Sequence, residues 1–560
     1  MLRRWFRKGK IRSEIHPDEI FIDSQNVSEF DTDQFEGRIE RPLSRRQLAA
    51  AGAVVALAIV LLFARAGTLQ VVHGAEYAEQ AQKNQLAEQT IFADRGAIVD
   101  RNGVPLAWNE REEVQDDFAK RVYAGMRGLA HAVGYTRAPA KDSKGFYFRT
   151  SFEGLDGAEQ AYNDKLGGQN GLELTETDAL GKVVSQATTR APVAGETLRL
   201  SLDAKVTEGL YDVLAKNADE GGFQGAAGVI MDVRTGELLA LTSYPEYGQN
   251  AMVGGDGELI SQYNSDKRQP FLDRAIDGLY APGSIVKPIM AAAGLTEGVI
   301  TPQTLITSTG QLTLPNPYDP EHPSIFRDWR VNGTMTVRDA IAVSSDVFFY
   351  EVGGGFKDQK GIGIANIDKY LKMFGYGDDA GLEGFSTKKG VIATPEWKAE
   401  AFPQDPTWRI GDTYHTVIGQ YGTQVTPLQA VREAAALANS GTLLTPTLIA
   451  SSTTKGQKLP IAADVMKIVR EGMRQGVTSG IATSINFPWV HAAAKTGTAE
   501  IGAHNEYWNA WMIGFWPYEN PKYAFAVVLD RGSAHTSIGG NAVMSQFFTW
   551  MHENAPEYLQ

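Results

Sequence analysis

A serine and a lysine three residues apart, Ser284 and Lys287, follow a Pro-Gly break in "YAPGSIVKPIM" and lead into an apolar run. A serine hydroxyl is inert at neutral pH, but a neighbouring amine that has lost its proton can accept the serine's proton as the oxygen attacks a carbonyl. Burial and a second cation are what make such an amine give up its proton. Pro282-Gly283 stops the preceding chain, and Pro288 is tolerated only in a first turn. A helix is therefore expected to begin here, with Ser284 at the N-cap and Ser284 and Lys287 on one face. Alone, the pattern reads first as a solvated lysine in a first helical turn. Two further stretches change the reading. "TVRDAIAVSSDVFFYEV" places Ser344-Ser345-Asp346 at a break between two helical segments, with Thr336 and Asp346 as the expected caps. "AAAKTGTAE" puts Lys495, Thr496, Gly497 and Thr498 on a strand edge of small residues. Each has a plain structural reading, as cap residues or an edge lysine, but the three in this order point to acyl transfer through a serine.

Composition narrows the chemistry from the other side. The 560 residues contain no cysteine, which removes disulfides, thiolate metal sites and cysteine nucleophiles together. The nine histidines form no His-Glu-x-x-His pattern, so no metal site is expected. A net charge of -13 argues against nucleic acid as a partner. With 43% hydrophobic residues, 58 glycines and 24 prolines, the chain reads as globular and long enough for two or more cored units.

The elements that must position these residues begin at a membrane. From Gln47 to Ala64, "QLAAAGAVVALAIVLLFA" is uncharged and about 27 Å long as a helix, close to a hydrocarbon core. Arg41, Arg45 and Arg46 precede it, and six more basic residues lie in the first dozen, which predicts a cytoplasmic N-terminus and an extracytoplasmic remainder. A cleaved signal peptide is the rival reading, disfavoured by the length of chain ahead of the apolar run. The predicted division is a cytoplasmic tail over residues 1–46, a transmembrane helix over 47–66, a small domain over 67–200 and a large one over 201–560. After the membrane, "AEYAEQAQKNQLAEQ" predicts a helix ending near Thr90, and "RGAIVDRNG" a strand and turn. Beyond residue 201 come a helix, a hairpin across Arg234-Thr235-Gly236, a long mostly helical insert, and three strands at the C-terminal end. Strands at both ends with helices between them predict an α+β domain whose sheet joins its two ends.

At this point the chain resembles the class B penicillin-binding proteins, the membrane-anchored peptidoglycan D,D-transpeptidases. "RGAIVDRNGVPLAWN" is similar to the family's juxtamembrane motif, "GLDGAEQAYNDKLGGQNG" to its pedestal signature, and "WRIGDTYHTVIGQYGTQVTPLQA" to its Gly-Asp-Thr and Gly-Gln segment. The resemblance implies an antiparallel sheet sandwiched by helices, as in serine β-lactamases, on an extended pedestal with one N-terminal anchor. It implies that Ser284 attacks the penultimate D-Ala carbonyl of a stem peptide with Lys287 as general base. Ser344 would relay a proton to the departing D-Ala, Lys495 would hold that relay electrostatically, and Thr496, Gly497 and Thr498 would bind the substrate's terminal carboxylate. The backbone N–H groups of Ser284 and Thr498 would form the oxyanion hole. No cofactor is implied. β-Lactams would inhibit, and a glycan polymerase of the SEDS family would be the membrane partner.

Three departures from the family pattern bear on this. Asp346 stands where many relatives have Asn. A carboxylate beside Lys287 would favour its ammonium form, so Asp346 is expected to point elsewhere or to be occupied by another donor. Ser-x-Asp is closer to the cell-elongation branch, penicillin-binding protein 2, than to the division branch. Tyr421-Gly422 stands where relatives have Gly first. Only about 47 residues separate Asn109 from Gly157, so the pedestal's head is read as trimmed. The rival functions are a septal transpeptidase, a β-lactamase or β-lactam sensor, and a non-catalytic wall-synthesis scaffold. No Glu-x-x-x-Asn lies between Ser284 and Lys495 to position a deacylating water, and D,D-carboxypeptidase action is the expected side reaction.

Overall fold

The computed structural model of the chain describes residues 44–77, 86–111, 113, 116–177, 183–316, 319–452, 455–502 and 504–560. Most of the predicted tail, residues 1–43, and residues 78–85 of the predicted juxtamembrane helix lie outside the described residues.

The apolar run forms one helix, Arg45–Gly67, opened by Ser44, whose side chain accepts from the Gln47 N–H in a capping box. With the π turn Thr68–Val72 it makes a 28-residue stretch containing an 18-residue window of mean hydropathy 2.4, long and apolar enough to cross a membrane. The helix predicted to end near Thr90 does not reach that far. Leu86–Ile91 is a strand, hydrogen-bonded beside Gly171–Thr177, which pairs in turn with Val183–Arg190. Residue propensity favoured helix here, and pairing with a strand about 85 residues away overrides it.

The pedestal is a set of short sheets. Leu198–Arg199 lies parallel to Ile98–Val99, which pairs antiparallel with Pro105–Glu110, and that strand with Lys120–Tyr123. Gly96 is obligatory, because a Cβ there would sit 1.9 Å from the Glu196 carbonyl oxygen. Beneath this sheet lies a fully buried ion cluster. Glu159 accepts from Arg95 Nε at 2.6 Å and from Arg121 Nε at 2.7 Å, and Tyr123 donates to the same carboxylate at 3.2 Å. The Asp100–Gly103 turn joins the pedestal to the larger domain. Asn102 donates to Asp203 at 2.8 Å, and Asp203 caps the helix Ala204–Gly221 through the Val206 N–H.

The larger domain is built on one antiparallel sheet. Its strand order is Leu238–Tyr244, Gly225–Asp232, Tyr523–Ser533, Tyr507–Trp516 and Ala493–Ile501. The sheet therefore joins the two ends of the domain, as the pattern of strands predicted. The helices Ala204–Gly221 and Gly540–Asn554 cover one face and Pro427–Ala438 the other. That is why Gly225–Asp232 is buried at every position rather than alternately. The helices Val337–Val343, Asp346–Gly354, Gly363–Met373 and Ala463–Thr478 pack around Lys287–Thr296, which is apolar on all sides and buried from Lys287 through Gly294. Such a helix can only be central.

Breaking a buried ion cluster strands the remaining charges without water. Glu159→Ala leaves two guanidinium groups unpaired and is expected to cost about 3 kcal/mol or more. Urea unfolding of the purified protein measures this, and a transition at the wild-type urea concentration would show that the cluster does not hold the pedestal together.

Candidate active site

Pro282 and Gly283 lead not into an α-helical N-cap but into a 3-10 turn, Gly283–Val286, which passes into the α-helix Lys287–Thr296 with Val286 as its N-cap. Ser284 lies inside this turn, which corrects its expected place at the cap. In a 3-10 turn side chains three apart eclipse, so the turn aligns Ser284 and Lys287 more closely than an α-helix would. Pro288 stands in the first α-helical turn, where its missing N–H loses nothing. The turn is pressed between two segments. Gly283 donates to the Gly419 carbonyl at 2.9 Å, and its φ of +55° with a Cβ clearance of 2.6 Å from the Thr498 oxygen excludes other residues. The indole of Trp511 donates to the Ala281 carbonyl at 2.9 Å from the neighbouring strand.

The second element ends the helix Val337–Val343, which Thr336 opens in a capping box with Asp339. Ser344 terminates it in the left-handed region, at φ 59° and ψ 42°, a conformation that costs a residue with a Cβ on the order of 1 kcal/mol. The following helix, Asp346–Gly354, is capped by Ser345 through the Phe348 N–H, and not by Asp346 as expected. With Ser345 as cap, the Asp346 side chain is free to face the site.

That side chain accepts from Lys287 Nζ at 2.7 Å. The expectation that Asp346 turns away or is occupied by another donor is thus overturned. Lys287, fully buried, also donates to the Ser344 carbonyl at 2.8 Å and to Ser344 Oγ at 3.2 Å. The third element is the edge strand Ala493–Ile501, from which Lys495 donates to the same Ser344 Oγ at 2.7 Å and to its neighbour's Thr496 carbonyl at 2.7 Å. One hydroxyl oxygen thus receives both lysines, and both of its lone pairs are used. Its own proton is left to donate elsewhere. Burial pushes the Lys495 amine well below the ordinary lysine range, and the Lys287 cation adds to this against the opposing pull of Asp346 and Glu433. Along the same strand Thr496 is half-buried, Gly497 buried and Thr498 exposed. A Cβ on Gly497 would lie 2.9 Å from the Pro282 carbonyl oxygen, so turn and strand are in contact.

The segment that departs from the family pattern keeps its shape by packing. Tyr421 holds φ 73°, with its ring 5.7 Å from Trp397, 5.8 Å from Trp408 and stacked on Phe402 at 6.3 Å. The aromatic cluster supports a backbone conformation that glycine would adopt freely.

Motif reading missed one side chain at the site. Asp328 ends the hairpin strand Ser324–Arg327 and is buried behind the Ser344 loop, where Ser345 Oγ donates to it at 2.6 Å. Asp328 looks like an ordinary turn residue in sequence, and no spacing rule links positions on different elements.

Residues 226–548 match the profile of the penicillin binding protein transpeptidase domain, and residues 113–200 that of the penicillin-binding protein dimerisation domain. Among characterised relatives, the peptidoglycan D,D-transpeptidase MrdA of Escherichia coli strain K12 is 28% identical over 605 residues, covering 88% of this chain and 92% of its own. MrdA of Salmonella typhimurium strain LT2 is 31% identical over 464 residues, covering 75% of this chain and 70% of its own. Among solved structures, penicillin-binding protein PBP2 of Helicobacter pylori in complex with MreC superposes with a TM-score of 0.69 at 25% identity, covering 84% of this chain and 99% of that one.

A lysine whose amine is lowered on folding binds its proton more tightly in the unfolded chain. It therefore opposes folding below its lowered pKa, and the opposition fades as pH rises towards the ordinary lysine range. Lys495→Met is expected to melt no lower than wild type at pH 7, with any gain shrinking as the pH rises. Thermal melting across pH measures this, and a large drop at pH 7 would show that the Ser344 bond outweighs burial.

Proposed function

The chain belongs to the penicillin-binding protein transpeptidase family, and from that premise we propose how its residues cross-link the cell wall. It is a peptidoglycan D,D-transpeptidase of the elongation type, joining stem peptides through a serine acyl-enzyme and open to acylation by β-lactams. In our reading Ser284 Oγ adds to the carbonyl of the penultimate D-Ala, and its proton passes to Lys287. The C–N bond then breaks, and the terminal D-Ala leaves as an amine after taking a proton from Ser344. An acceptor amine from a second stem peptide attacks the ester, returns a proton to the cluster and releases Ser284. With water as the acceptor the same cycle is a carboxypeptidase reaction.

The observation that carries this assignment is the shared Ser344 hydroxyl, 3.2 Å from Lys287 Nζ and 2.7 Å from Lys495 Nζ. It links the nucleophile's turn to the strand that flanks it, so a proton taken from Ser284 has a path to the leaving amine. To serve as a base Lys287 must first lose a proton, and the nearest acceptor is Asp346, whose side chain is 18% exposed and can pass it to solvent. Asp346 in this role is compatible with catalysis, where a buried carboxylate would hold the proton. The Ser284 N–H, early in its turn, has no acceptor within the turn, which supports pairing it with the Thr498 N–H around the developing oxyanion. Thr496 and the exposed Thr498 would receive the substrate's terminal carboxylate beside the Lys495 charge.

One helix among the described residues is long and apolar enough to cross a membrane, and with the MrdA relatives it supports a membrane-anchored protein. We place its N-terminus in the cytoplasm and its catalytic domain outside the cytoplasmic membrane, on the strength of the basic residues before Gln47. A SEDS-family polymerase is the proposed partner, reached through the anchor and pedestal. The H. pylori relative's complex with MreC supports a role for partners in this system.

A fluorescent penicillin tests the assignment on the full-length protein in detergent. Wild type is expected to hold a stable covalent label and Ser284→Ala none, because removing the nucleophile removes nearly all catalysis. A folded wild type that consumes the drug without retaining label would point to a β-lactamase, and one that does neither would point to a scaffold.

A further inference from the structure

We propose that Asp328 is a positioning residue for this reaction: its buried carboxylate gathers the donors that hold the Ser344-Ser345-Asp346 loop in place against Lys287. The proposal rests on the assignment of Ser284 and Lys287 made above and adds a group that none of the three motifs contains.

Asp328 receives five hydrogen bonds from three directions. Oδ2 accepts from Ser308 Oγ at 2.8 Å, from Ser345 Oγ at 2.6 Å and from the Val347 N–H at 3.3 Å. Oδ1 accepts from the Asp346 N–H at 3.0 Å and from the Trp329 N–H at 3.0 Å. Its own N–H is fixed to the Gly310 carbonyl at 2.9 Å. Every partner is a donor, so only an ionised carboxylate satisfies them all. Burial pushes this carboxyl upward, but the bonds from Ser345, Asp346 and Ser308 and the nearby Lys287 charge outweigh it and hold it below the usual carboxylate range.

The consequence reaches the reacting groups through two adjacent residues. Ser344 adopts a left-handed conformation that it would not choose alone, and Asp328 holds the hydroxyl of the next residue, Ser345, whose N–H donates to the Ala340 carbonyl at 3.1 Å. Asp346 is fixed at its N–H by Asp328 while its side chain meets Lys287. Asp328 also contributes charge. Lys287 faces Asp346, Asp328 and the Lys495 cation, and behind these Glu433 faces Lys495 while His415 faces Asp346. Two carboxylates thus balance two buried lysines, one partly exposed and able to exchange a proton, the other buried and fixed.

The test is the rate of acylation by a fluorescent penicillin against pH, on the full-length protein in detergent. Asp328→Asn keeps the shape but turns a donor toward donors and removes a charge. It is expected to slow acylation at pH 7 by about 10- to 100-fold. Losing an attractive charge makes the lysine cluster release its proton more readily, so the rising limb of the rate is expected at lower pH than in wild type. Ser345→Ala, which loses one bond and no charge, is expected to slow acylation by a smaller factor with the limb unmoved. An Asp328→Asn protein labelled at the wild-type rate overturns the proposal. So does one that is slow at every pH with its limb at the wild-type position, since a merely structural residue would behave that way. If Asp328→Asn does not fold, Ser345→Ala decides, and a wild-type rate there overturns the proposal. A wild type that takes no label sinks the reading of Ser284 along with this one, whereas a labelled wild type with an unaffected Asp328→Asn sinks only this one.

Discussion

Two lysine ammonium groups cannot share one buried hydroxyl unless negative charge lies close enough to offset both desolvation and their mutual repulsion. That constraint organises the catalytic domain. Lys287 and Lys495 are each within hydrogen-bond distance of Ser344 Oγ, and both are almost wholly buried. Asp346 meets Lys287 directly, and Asp328 lies one layer back. The three motif segments meet at this charge arrangement. The same proximity that makes the arrangement unfavourable to fold is what the proposed proton path would use.

The surrounding fold supplies rigidity at the points where the chain cannot do so locally. Ser284 sits on a turn squeezed between the Gly419 segment and the edge strand, and glycine is required at position 283 because the Thr498 oxygen would meet any Cβ. The strand that carries Lys495 stands at the edge of the described sheet. Its inner side is anchored by nine registered pairs with Tyr507–Trp516, so the lysine is placed by a sheet and not by a loop. An apolar helix behind Lys287 fills the core and fixes the depth of the amine.

The pedestal follows a similar logic with different consequences. Its Arg95, Arg121 and Glu159 cluster is closed off from solvent and sits beside buried apolar residues of the short sheet, Ile98, Leu106 and Leu198 among them. The turn after Ile98–Val99 then reaches Asp203, so the cap of the first catalytic-domain helix is partly supplied by the pedestal. Tyr558, near the other end of the chain, donates to the same Asp203 carboxylate at 2.7 Å. A single carboxylate therefore ties the pedestal, the start of the catalytic domain and its end.

By itself the sequence determined the kind of chemistry and the elements that carry it. Cysteine-free composition, the order Ser284, Lys287, Ser344, Lys495, and the switch between helical and strand patterning are local properties, set by residue type and short spacing. The anchor, the domain-spanning sheet and the strand position of Lys495 were legible for that reason. Tertiary structure alone decided the rest. The 3-10 turn at Ser284 depends on Gly419 and Thr498 pressing on Gly283. The strand at Leu86–Ile91 depends on a distant partner. Asp346 turns to Lys287 because Ser345 takes the cap, and Ser345 is held by Asp328, seventeen residues earlier on another element. Electrostatic contacts of this kind depend on through-space distance and burial, and neither quantity is a function of spacing along the chain.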